Sequence, residues 1–524
     1  MRTKLLSAFI VCFLFFGIFS GSVSGSVATA SHENSALFAD EATTVSFRKT
    51  VTVNFGSGED INFKWDFVYD DLFFKDSSYI YNHDLAKISF GLALAAGNPT
   101  STHTLWGETG DNIGRHRSVE KLYNDLEFVD KRYYNYDSQL NDSDRKIAFS
   151  IAKKDVHIGE DNFTLIAVAI RGYAYGAEWS SNFDMGKDGY SHKGFTEAAT
   201  EVQEAIIEYF EEFEDVLDED TKLWLVGYSR GANVSNLLGS NLDKLAKGST
   251  GLGRFLDPKN IYVYTFAPSR IVSSDNNPDF QDNNKALFDN IFNIINPNDV
   301  MTTMPPKEWN LTRYGVNKVF LFGEHLTSFK EDPLNYDLVD SIYEKMSGEE
   351  LSIRDFSSFY LFLEDVEKLV LILMPNASSY EDNYREAVME LVSLTFSRVP
   401  DDSVPMKWKA LTFKDRFMYH YGSKGRLAYI RMDAFVSMLL FKMSPQLLLF
   451  RLPQEEIYSS LISFLALCDM YELKIQNILD FVIEAFRTLR KYDFSVPGPI
   501  VFGHYPEIYI SWLFSQTDPD LLFI

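Results

Sequence analysis

Hydrophobic and polar positions along residues 45 to 330 follow a pattern that predicts strands and helices in turn. Short apolar runs bounded by turn residues indicate buried strands over residues 164–170, 223–226, 261–266 and 291–295. Between the first two runs, apolar residues recur at helical spacing over 195–217 with glutamates on the other face, which predicts an amphipathic crossover helix. Strands connected by such helices are typical of an α/β domain built around a mostly parallel sheet.

The pattern changes after residue 334. Residues 335–495 show helical periodicity almost throughout, including 359–373 and 457–489, and few strand signals. Proline and glycine return in the last segment, 496–524, before a short apolar run. We therefore predict a core over 31–334, a large helical insertion over 335–495, and a C-terminal segment that returns to the core.

The N-terminus resembles a secretory signal peptide. Arg2 and Lys4 precede an apolar run over residues 5–19, and small residues ending at Ala30 form a plausible cleavage site. A retained membrane anchor is the alternative, although the run is shorter than the roughly 20 residues that a span needs. Cleavage would leave Cys468 as the one cysteine, so we expect core packing rather than an internal disulfide to hold the exported protein together.

Composition narrows the choice of partners. The formal net charge is −25, and 46% of the 524 residues are hydrophobic, enough for a large core. So acidic a surface argues against nucleic acid as a partner and would be repelled by an anionic bilayer. A local apolar patch could still make transient contact with a neutral lipid interface. The acidic clusters at 218–220 and 275–289 lack the glycine-centred loop of an EF-hand, so we predict no metal site there.

The most specific motif follows the apolar run at 223–226. Residues 227–231 read GYSRG, and a helical pattern begins directly after them. A GxSxG sequence between a strand and a helix predicts a nucleophile elbow, a sharp turn that presents the serine at the edge of a sheet. Glycines on both sides remove side chains that would collide in such a turn. We predict that Ser229 is a nucleophile; an ordinary glycine-serine turn is the alternative.

A serine hydroxyl is a weak nucleophile at neutral pH and needs a base, which an acid must orient. In α/β-hydrolases these groups follow one another along the chain as serine, acid and histidine. Asp299 suits the acid because it closely follows the strand predicted over 291–295, although an ordinary turn aspartate is the alternative. His192 precedes the serine, so we expect it to be structural. The later histidines are candidates for the base: His325, His420 and His504.

Short blocks between residues 165 and 306 resemble class 3 (fungal-type) lipases, especially their secreted bacterial relatives. The blocks are residues 170–173, 175–179, 192–195, the serine motif at 227–231, and the Asn298-Asp299 pair before two prolines. The resemblance implies an α/β-hydrolase fold with a mostly parallel central sheet, here with a large helical insertion. It also implies ester hydrolysis with Ser229 as nucleophile and Asp299 as the orienting acid.

The same resemblance favours one of the histidines. Residues 503–513 read GHYPEIYISWL, which is similar to the histidine loop and following helix of the bacterial relatives. We therefore predict His504 as the base. His325, which follows a strand-like run closely, and His420, which lies between two tyrosines in a helical stretch, remain alternatives.

Attack on a carbonyl creates an oxyanion that backbone N–H groups must stabilise. We expect one donor to be the backbone of Arg230, directly after the serine. The family comparison points to Tyr173 for the second, with Gly172 allowing the main chain to approach closely. Many members have histidine before and leucine after the serine, whereas this chain has Tyr228 and Arg230. The Arg230 side chain could therefore alter the charge of the pocket.

These features predict a secreted serine carboxylic-ester hydrolase, lipase-like, that acts on acylglycerols or other acyl esters through an acyl-enzyme and requires no cofactor. A thioesterase or a polysaccharide-directed esterase would use the same residues. A non-catalytic surface interaction protein on a hydrolase scaffold is a further alternative, and in it the three side chains would not converge. Apolar residues of the insertion could form a lid over an acyl-binding cleft, or simply pack as a helical core.

Overall fold

The computed structural model describes residues 46–55, 63–97, 116–136, 147–172, 187–246, 251–281, 288–320, 334–348, 356–373, 502–516 and 522–523, with a few single residues between 350 and 491. Several predictions fall outside these residues: the leader at 1–30, Tyr173, His325, His420 and most of the helix predicted over 457–489.

The described residues form strands and helices in alternation. The strands are β1 (Arg48–Phe55), β2 (Phe63–Asp70), β3 (Val129–Tyr134), β4 (Phe149–Ile158), β5 (Asp161–Ile170), β6 (Lys187–Asp188), β7 (Ser191–His192), β8 (Lys222–Tyr228), β9 (Ile261–Phe266), β10 (Val272–Ser273), β11 (Ile291–Ile295), β12 (Leu311–Thr312), β13 (Val316–Val319) and β14 (Leu522–Phe523). The α-helices are α1 (His83–Gly97), α2 (Arg117–Asp125), α3 (Lys193–Glu212), α4 (Arg230–Leu245), α5 (Val300–Thr303), α6 (Leu334–Ser347), α7 (Phe356–Leu373) and α8 (Pro506–Ser515).

The main sheet has eight strands in the order β14-β13-β11-β9-β8-β5-β4-β3. The pairs from β5 through β8, β9 and β11 to β13 are parallel, whereas β3, β4 and β14 pair antiparallel at the two edges. This confirms the mostly parallel sheet that the sequence predicts. Because the carboxyl ends of the parallel strands share one edge, residues that follow β8 and β11 come close together there.

Alternation along each strand separates two hydrophobic layers. In β8, Trp224 and Val226 pack into one buried cluster and Leu223 and Leu225 into the other. Helices α3 and α4 contribute their apolar faces to the second cluster, while α1 and α8 contribute to the first. Successive residues of a strand point to opposite faces, so continuous apolar runs are what a strand covered on both sides requires.

The observed bounds differ from the predicted ones where pairing continues beyond the apolar run. Strand β8 extends to Tyr228 because Gly227 and Tyr228 still pair with Thr265 and Phe266 of β9. Helix α3 ends at Glu212 rather than at the predicted residue 217, and turns follow. Leu217 nevertheless remains buried, so hydrophobic periodicity alone did not distinguish a longer helix from a turn that buries the same side chain.

Two smaller sheets complete the strands. Strands β1 and β2 pair antiparallel over eight residues each, with Arg48 opposite Asp70 and Phe55 opposite Phe63. Apolar side chains of both strands join the buried cluster that also contains α1 and α8. Strands β12, β10, β7 and β6 form a four-stranded sheet of two-residue strands. The sequence pattern did not predict either sheet.

Helices α6 and α7 lie in the region predicted as a helical insertion. Helix α7 spans the helix predicted over 359–373 and begins three residues earlier. Both helices bury apolar residues in the same cluster as α1 and α8: Val339, Ile342, Phe362, Leu363, Val366 and Leu369. Among the helices that the structure describes, none has the length and apolar character that crossing a bilayer would require.

Candidate active site

Ser229 stands at the junction between β8 and α4. Its backbone dihedrals are φ 56° and ψ −122°, in a region that non-glycine residues adopt only under strain. The Ser229 N–H donates to the carbonyl of Phe266 in β9 at 2.9 Å, and its carbonyl accepts from the Asn233 N–H at 3.1 Å. The chain thus turns sharply from strand to helix at the serine, which is the geometry of a nucleophile elbow.

Close packing of main chain explains the glycines around the elbow. A Cβ on Gly227 would overlap the carbonyl of Gly231, and a Cβ on Gly231 would overlap the carbonyl of Ile170 at the end of β5. A Cβ on Gly172 would overlap the Tyr228 carbonyl, so the chain leading to Tyr173 runs directly against the end of β8. The expectation that Gly172 permits close approach therefore agrees with the geometry.

Asp299 lies beyond the carboxyl end of β11 and begins helix α5. Its Oδ1 accepts from the Met301 N–H at 2.8 Å, which caps the helix, and its backbone carbonyl accepts from the Thr302 hydroxyl at 2.9 Å. The residue is fully buried, at 0% exposure. The capping bond occupies one carboxylate oxygen and leaves Oδ2 for other donors.

His504 ends a short 3-10 turn over Phe502–His504, just before α8. The turn packs tightly on the Asp299 loop, because a Cβ on Gly503 would overlap the carbonyl of Asn298. The Asn296 side chain donates from Nδ2 to the Gly503 carbonyl at 2.8 Å. Main-chain contact and a side-chain hydrogen bond thus join the histidine segment to the end of β11.

The three predicted side chains meet. His504 Nε2 lies 2.9 Å from Ser229 Oγ, and His504 Nδ1 lies 2.8 Å from Asp299 Oδ2. Ser229 is 8% exposed and His504 5%, so water has little access to either hydrogen bond. A carboxylate can only accept, which fixes the Nδ1–H tautomer and leaves Nε2 free to take a proton from the serine hydroxyl. This arrangement can activate an alcohol for attack on a carbonyl.

Two tyrosines for which the sequence predicted no role contact the histidine and the acid. Tyr509 of α8 donates its hydroxyl to Asp299 Oδ2 at 2.8 Å and accepts from the Asn296 N–H at 3.2 Å. Burial, with Asp299 adding to it, raises the pKa of Tyr509 well above its ordinary value, so the phenol stays protonated and remains a donor. The Tyr228 ring stacks on His504, and its hydroxyl donates to the His504 carbonyl.

The side chain of Arg230 is buried, at 2% exposure, with its guanidinium over the ring of Phe195 in α3. Its backbone N–H stands at the first position of α4, where N–H groups have no acceptor within the helix. His192 occupies the N-cap position of α3 without a side-chain capping bond and stacks on the same Phe195, in keeping with the structural role expected for it. The partner expected for the Arg230 N–H, the backbone of Tyr173, lies outside the described residues.

The side chains of the site also bear on metal binding. Over the part of the chain that the structure describes, no group of three or more histidine, cysteine or acidic side chains is arranged to hold a metal ion. His504 and Asp299, which could serve as ligands, are engaged with each other and with Ser229 and Tyr509.

A mostly parallel sheet with a sharp strand-to-helix turn at Ser229, and with Asp299 and His504 carried by later segments, is the arrangement of an α/β-hydrolase fold. Residues 167–309 match the family model described as Lipase (class 3). Over this segment, which is less than a third of the chain, the sequence is similar to the class 3 lipases. The segment contains Gly172, Ser229 and Asp299 but ends well before His504. No curated protein matches the chain.

Several solved lipase structures are similar to the chain over part of its length. A triacylglycerol lipase described as having a serine protease triad at its catalytic centre shares 18% identity, with 34% of this chain and 62% of that chain covered and a TM-score of 0.26. A triacylglyceride lipase of Rhizomucor miehei shares 18%, covering 36% and 67%, with a TM-score of 0.26. Lipase II from Rhizopus niveus shares 15%, covering 34% and 63%, with a TM-score of 0.24. The chain thus spans less than two thirds of the first of these structures.

Proposed function

We propose that this chain is a serine carboxylic-ester hydrolase in which Ser229 is the nucleophile, His504 the general base and Asp299 the acid that orients His504. The observation that carries the proposal is the pair of hydrogen bonds from one imidazole, to the serine at 2.9 Å and to the aspartate at 2.8 Å. These three side chains are far apart along the sequence, and the match of residues 167–309 to the class 3 lipase model, which includes Ser229 and Asp299, supports the same assignment.

In the proposed reaction, His504 Nε2 takes the proton from the Ser229 hydroxyl as its oxygen attacks the ester carbonyl. Asp299 stabilises the imidazolium that results, and Tyr509 keeps Asp299 Oδ2 in place. The imidazolium then gives its proton to the leaving alcohol, which departs and leaves an acyl-enzyme on Ser229. A water molecule, deprotonated by His504, releases the carboxylic acid and restores the serine.

The tetrahedral intermediate places a negative charge on the former carbonyl oxygen. We propose the backbone N–H of Arg230 as one donor to this oxyanion, since the start of α4 presents that group beside Ser229. The backbone N–H of Tyr173 is proposed as the second donor. The close approach of Gly172 to the end of β8 supports this position. Each such donor is expected to be worth about 3 to 4 kcal/mol in the transition state.

Acyl esters, and acylglycerols in particular, are the substrates we propose, because the family match is to lipases. The acidic composition favours transient contact with a neutral lipid interface over binding to an anionic one. Export is part of the proposal and rests on the leader-like segment at residues 1–30. The chemistry needs no cofactor.

Replacement of the serine tests the proposal most directly. Ser229→Ala should lower hydrolysis of p-nitrophenyl butyrate by about 10⁴-fold or more, because the three groups act as a unit. Ser240→Ala is a control on helix α4, which follows Ser229: Ser240 is also buried, and its hydroxyl donates to the Leu237 carbonyl. Unchanged turnover in Ser229→Ala, with circular dichroism showing an intact fold, would defeat the assignment.

The histidine is tested by a parallel pair of variants. His504→Ala should reduce turnover as severely as Ser229→Ala, whereas His325→Ala should retain it. The reverse result would move the base to His325. Comparing thioesters, acetylated polysaccharide and an acyl-length series of glycerides on the wild-type protein would identify the substrate class, with a lipase expected to favour glycerides.

A further inference from the structure

The two described helices of the insertion contact the site at two different places. Helix α6 packs against α8, the helix that follows His504, and helix α7 packs against α5, the helix that Asp299 begins. Val339 of α6 and Val366 of α7 are fully buried in the same cluster as Ile508 of α8. Helices α6 and α7 therefore pack against the helices that follow the proposed base and the proposed acid.

Glu367 makes a polar contact between α7 and the acid loop, by which we mean residues 296–307, the segment that contains Asp299 and α5. Its Oε1 accepts from Arg270 Nη1 at 2.8 Å and from the Lys307 backbone N–H at 2.8 Å. The residue is 8% exposed, so both bonds form in a largely dry environment. A buried carboxylate costs free energy unless it is paired and hydrogen-bonded, and these two donors provide the pairing.

Arg270 transmits this contact to helix α5. The same Nη1 donates to the carbonyls of Thr303 at 2.6 Å and Pro305 at 3.0 Å, and the Arg270 backbone N–H donates to the Met304 carbonyl at 3.0 Å. Arg270 thus holds the C-terminal end of α5. Because α5 spans only four residues, its far end is one turn from Asp299, which caps its start.

A second buried arginine, Arg313, lies near Arg270, so the negative charge of Glu367 is needed to balance the positive charge there. Arg313 donates to the carbonyl of Pro268, two residues before Arg270, and to the carbonyl of Thr302 within α5. Burial, with the nearby cation Arg270 adding to it, lowers the pKa of Arg313 to about 9, so it is still a cation at neutral pH. Loss of the Glu367 carboxylate would leave Arg270 without its paired charge and beside another cation, which favours displacement of the loop.

We propose that Glu367 and Arg270 are positioning residues through which helix α7 of the insertion holds Asp299 in the geometry that orients His504, an inference that rests on the function proposed above. In this role α7 is a fixed support of the active site rather than a mobile lid. The insertion then contributes to catalysis through its contacts with the acid loop.

A double-mutant cycle tests whether Glu367 acts through Asp299. Glu367→Met keeps the side-chain volume but removes the acceptor, and it should lower kcat for p-nitrophenyl butyrate by about 10- to 100-fold, with KM changed by less than about threefold. In an Asp299→Ala background the same change should cost less than about twofold, because there is no acid left to misplace. An equal loss in both backgrounds would overturn the proposal and leave the pair as general support of the fold.

Further variants separate positioning from folding. Glu367→Gln keeps an oxygen for the Arg270 and Lys307 donors but loses the charge that pairs with Arg270, so its kcat should lie between those of Glu367→Met and wild type. A kcat no higher than that of Glu367→Met would show that these two hydrogen bonds do not position the loop. Asp365→Ala is the matched control: this acid lies on the same helix and pairs with Lys368 and Lys491, and its loss should change kcat by less than about twofold. A loss in Asp365→Ala as large as in Glu367→Met would show that α7 matters only for stability.

If Glu367→Met does not fold, Arg270→Lys in the same two backgrounds takes its place, since lysine carries its nitrogen one bond closer to the main chain than Nη1 of arginine and should not reach the same acceptors. It should lower kcat only where Asp299 is present, and an equal loss without Asp299 would overturn the proposal. The Asp299→Ala single variant reports on the proposed function separately. Wild-type turnover in that variant would refute the triad itself, whereas a large loss there with no effect of Glu367→Met would refute only the positioning role.

Discussion

The serine and the Asp299–His504 pair are held by different kinds of structure. Ser229 is positioned by main chain that is local in sequence: β8, the turn and α4 form one continuous segment, and glycines let its backbone pack against β5. The parallel sheet itself fixes where the hydroxyl emerges.

Asp299 and His504, the proposed acid and base, depend instead on contacts between distant segments. Asn296 and Tyr509 link the end of β11 to the histidine segment, more than 200 residues away, through side-chain hydrogen bonds. The Asp299 loop is further held through Arg270 by a carboxylate from the insertion. Every one of these bonds can be removed by a single substitution without disturbing the sheet.

Because of this difference, substitutions in the two regions should affect stability and activity to different extents. Damage to the elbow should destabilise the whole protein, because the strained turn is part of the hydrophobic core's frame. Damage to the supports of Asp299 and His504 should instead lower activity more than stability, since a displacement of about 1 Å at a catalytic group can cost about 100-fold in rate. The variants below test this contrast.

Adding one methyl group to a glycine of the elbow and one to a glycine of the histidine turn should give the largest contrast between loss of stability and loss of activity. Gly227→Ala would press a Cβ into the Gly231 carbonyl and should lower the free energy of unfolding by more than about 3 kcal/mol, or prevent folding. Gly503→Ala would separate the histidine turn from the Asn298 carbonyl and should cost about 100-fold in kcat/KM but only about 1 to 3 kcal/mol in stability. Urea unfolding and ester hydrolysis measure both.

Gly239→Ala is the control for these two variants, because a Cβ there meets only side-chain atoms of Val263 and Ile291, which can adjust. It should change stability by less than about 1 kcal/mol and leave turnover intact. Equal losses of stability in Gly227→Ala and Gly503→Ala would contradict the contrast between the two regions.

Removal of the Tyr509 hydroxyl should have a moderate effect. Tyr509→Phe takes a donor from Asp299 Oδ2 and leaves the buried Asn296 N–H without its acceptor, so we expect a loss of about 1 to 3 kcal/mol in stability. The freed carboxylate should orient His504 less well, which should lower kcat by about tenfold while KM stays nearly constant. An unchanged kcat would show that the Met301 and His504 bonds suffice to hold Asp299.

The same contrast explains how much the sequence could predict. The elbow is encoded within about twenty consecutive residues, so periodicity and the GxSxG motif located β8, Ser229 and α4. The apolar runs over 261–266 and 291–295 also predicted the observed bounds of β9 and β11. The structure confirms the α/β-hydrolase fold, and the class 3 lipase match confirms the resemblance.

The supports of the acid and the base could not be predicted in this way. Tyr509 lies in an apolar helix, where a tyrosine is equally compatible with simple packing, and Glu367 reads as one of many polar positions on a helix of the insertion. Their roles depend on which distant loop each side chain reaches. Choosing His504 over His325 likewise needed the resemblance, because spacing along the chain does not fix distance in space.

The smallest of the three effects should be the loss of stability at alkaline pH that comes from the segment around His504. Burial raises the pKa of Tyr505, next to His504, to about 12, above the value of about 10 expected when unfolded. The unfolded chain therefore releases this proton first as the pH rises, so the contribution of Tyr505 to stability is intact below pH 10 and is lost above it. Between pH 8 and pH 11 this amounts to about 1 kcal/mol.

Buried tyrosines elsewhere, including Tyr262 and Tyr314, have raised pKa values for the same reason, so the wild-type protein should lose more than this single share. Tyr505→Phe isolates the contribution of the histidine side: urea unfolding should show a fall in stability from pH 8 to pH 11 that is about 1 kcal/mol smaller than in wild type. Identical falls in the two proteins would mean that Tyr505 ionises as readily in the folded chain as in the unfolded one. The histidine segment would then be more open to water than the burial of His504 indicates.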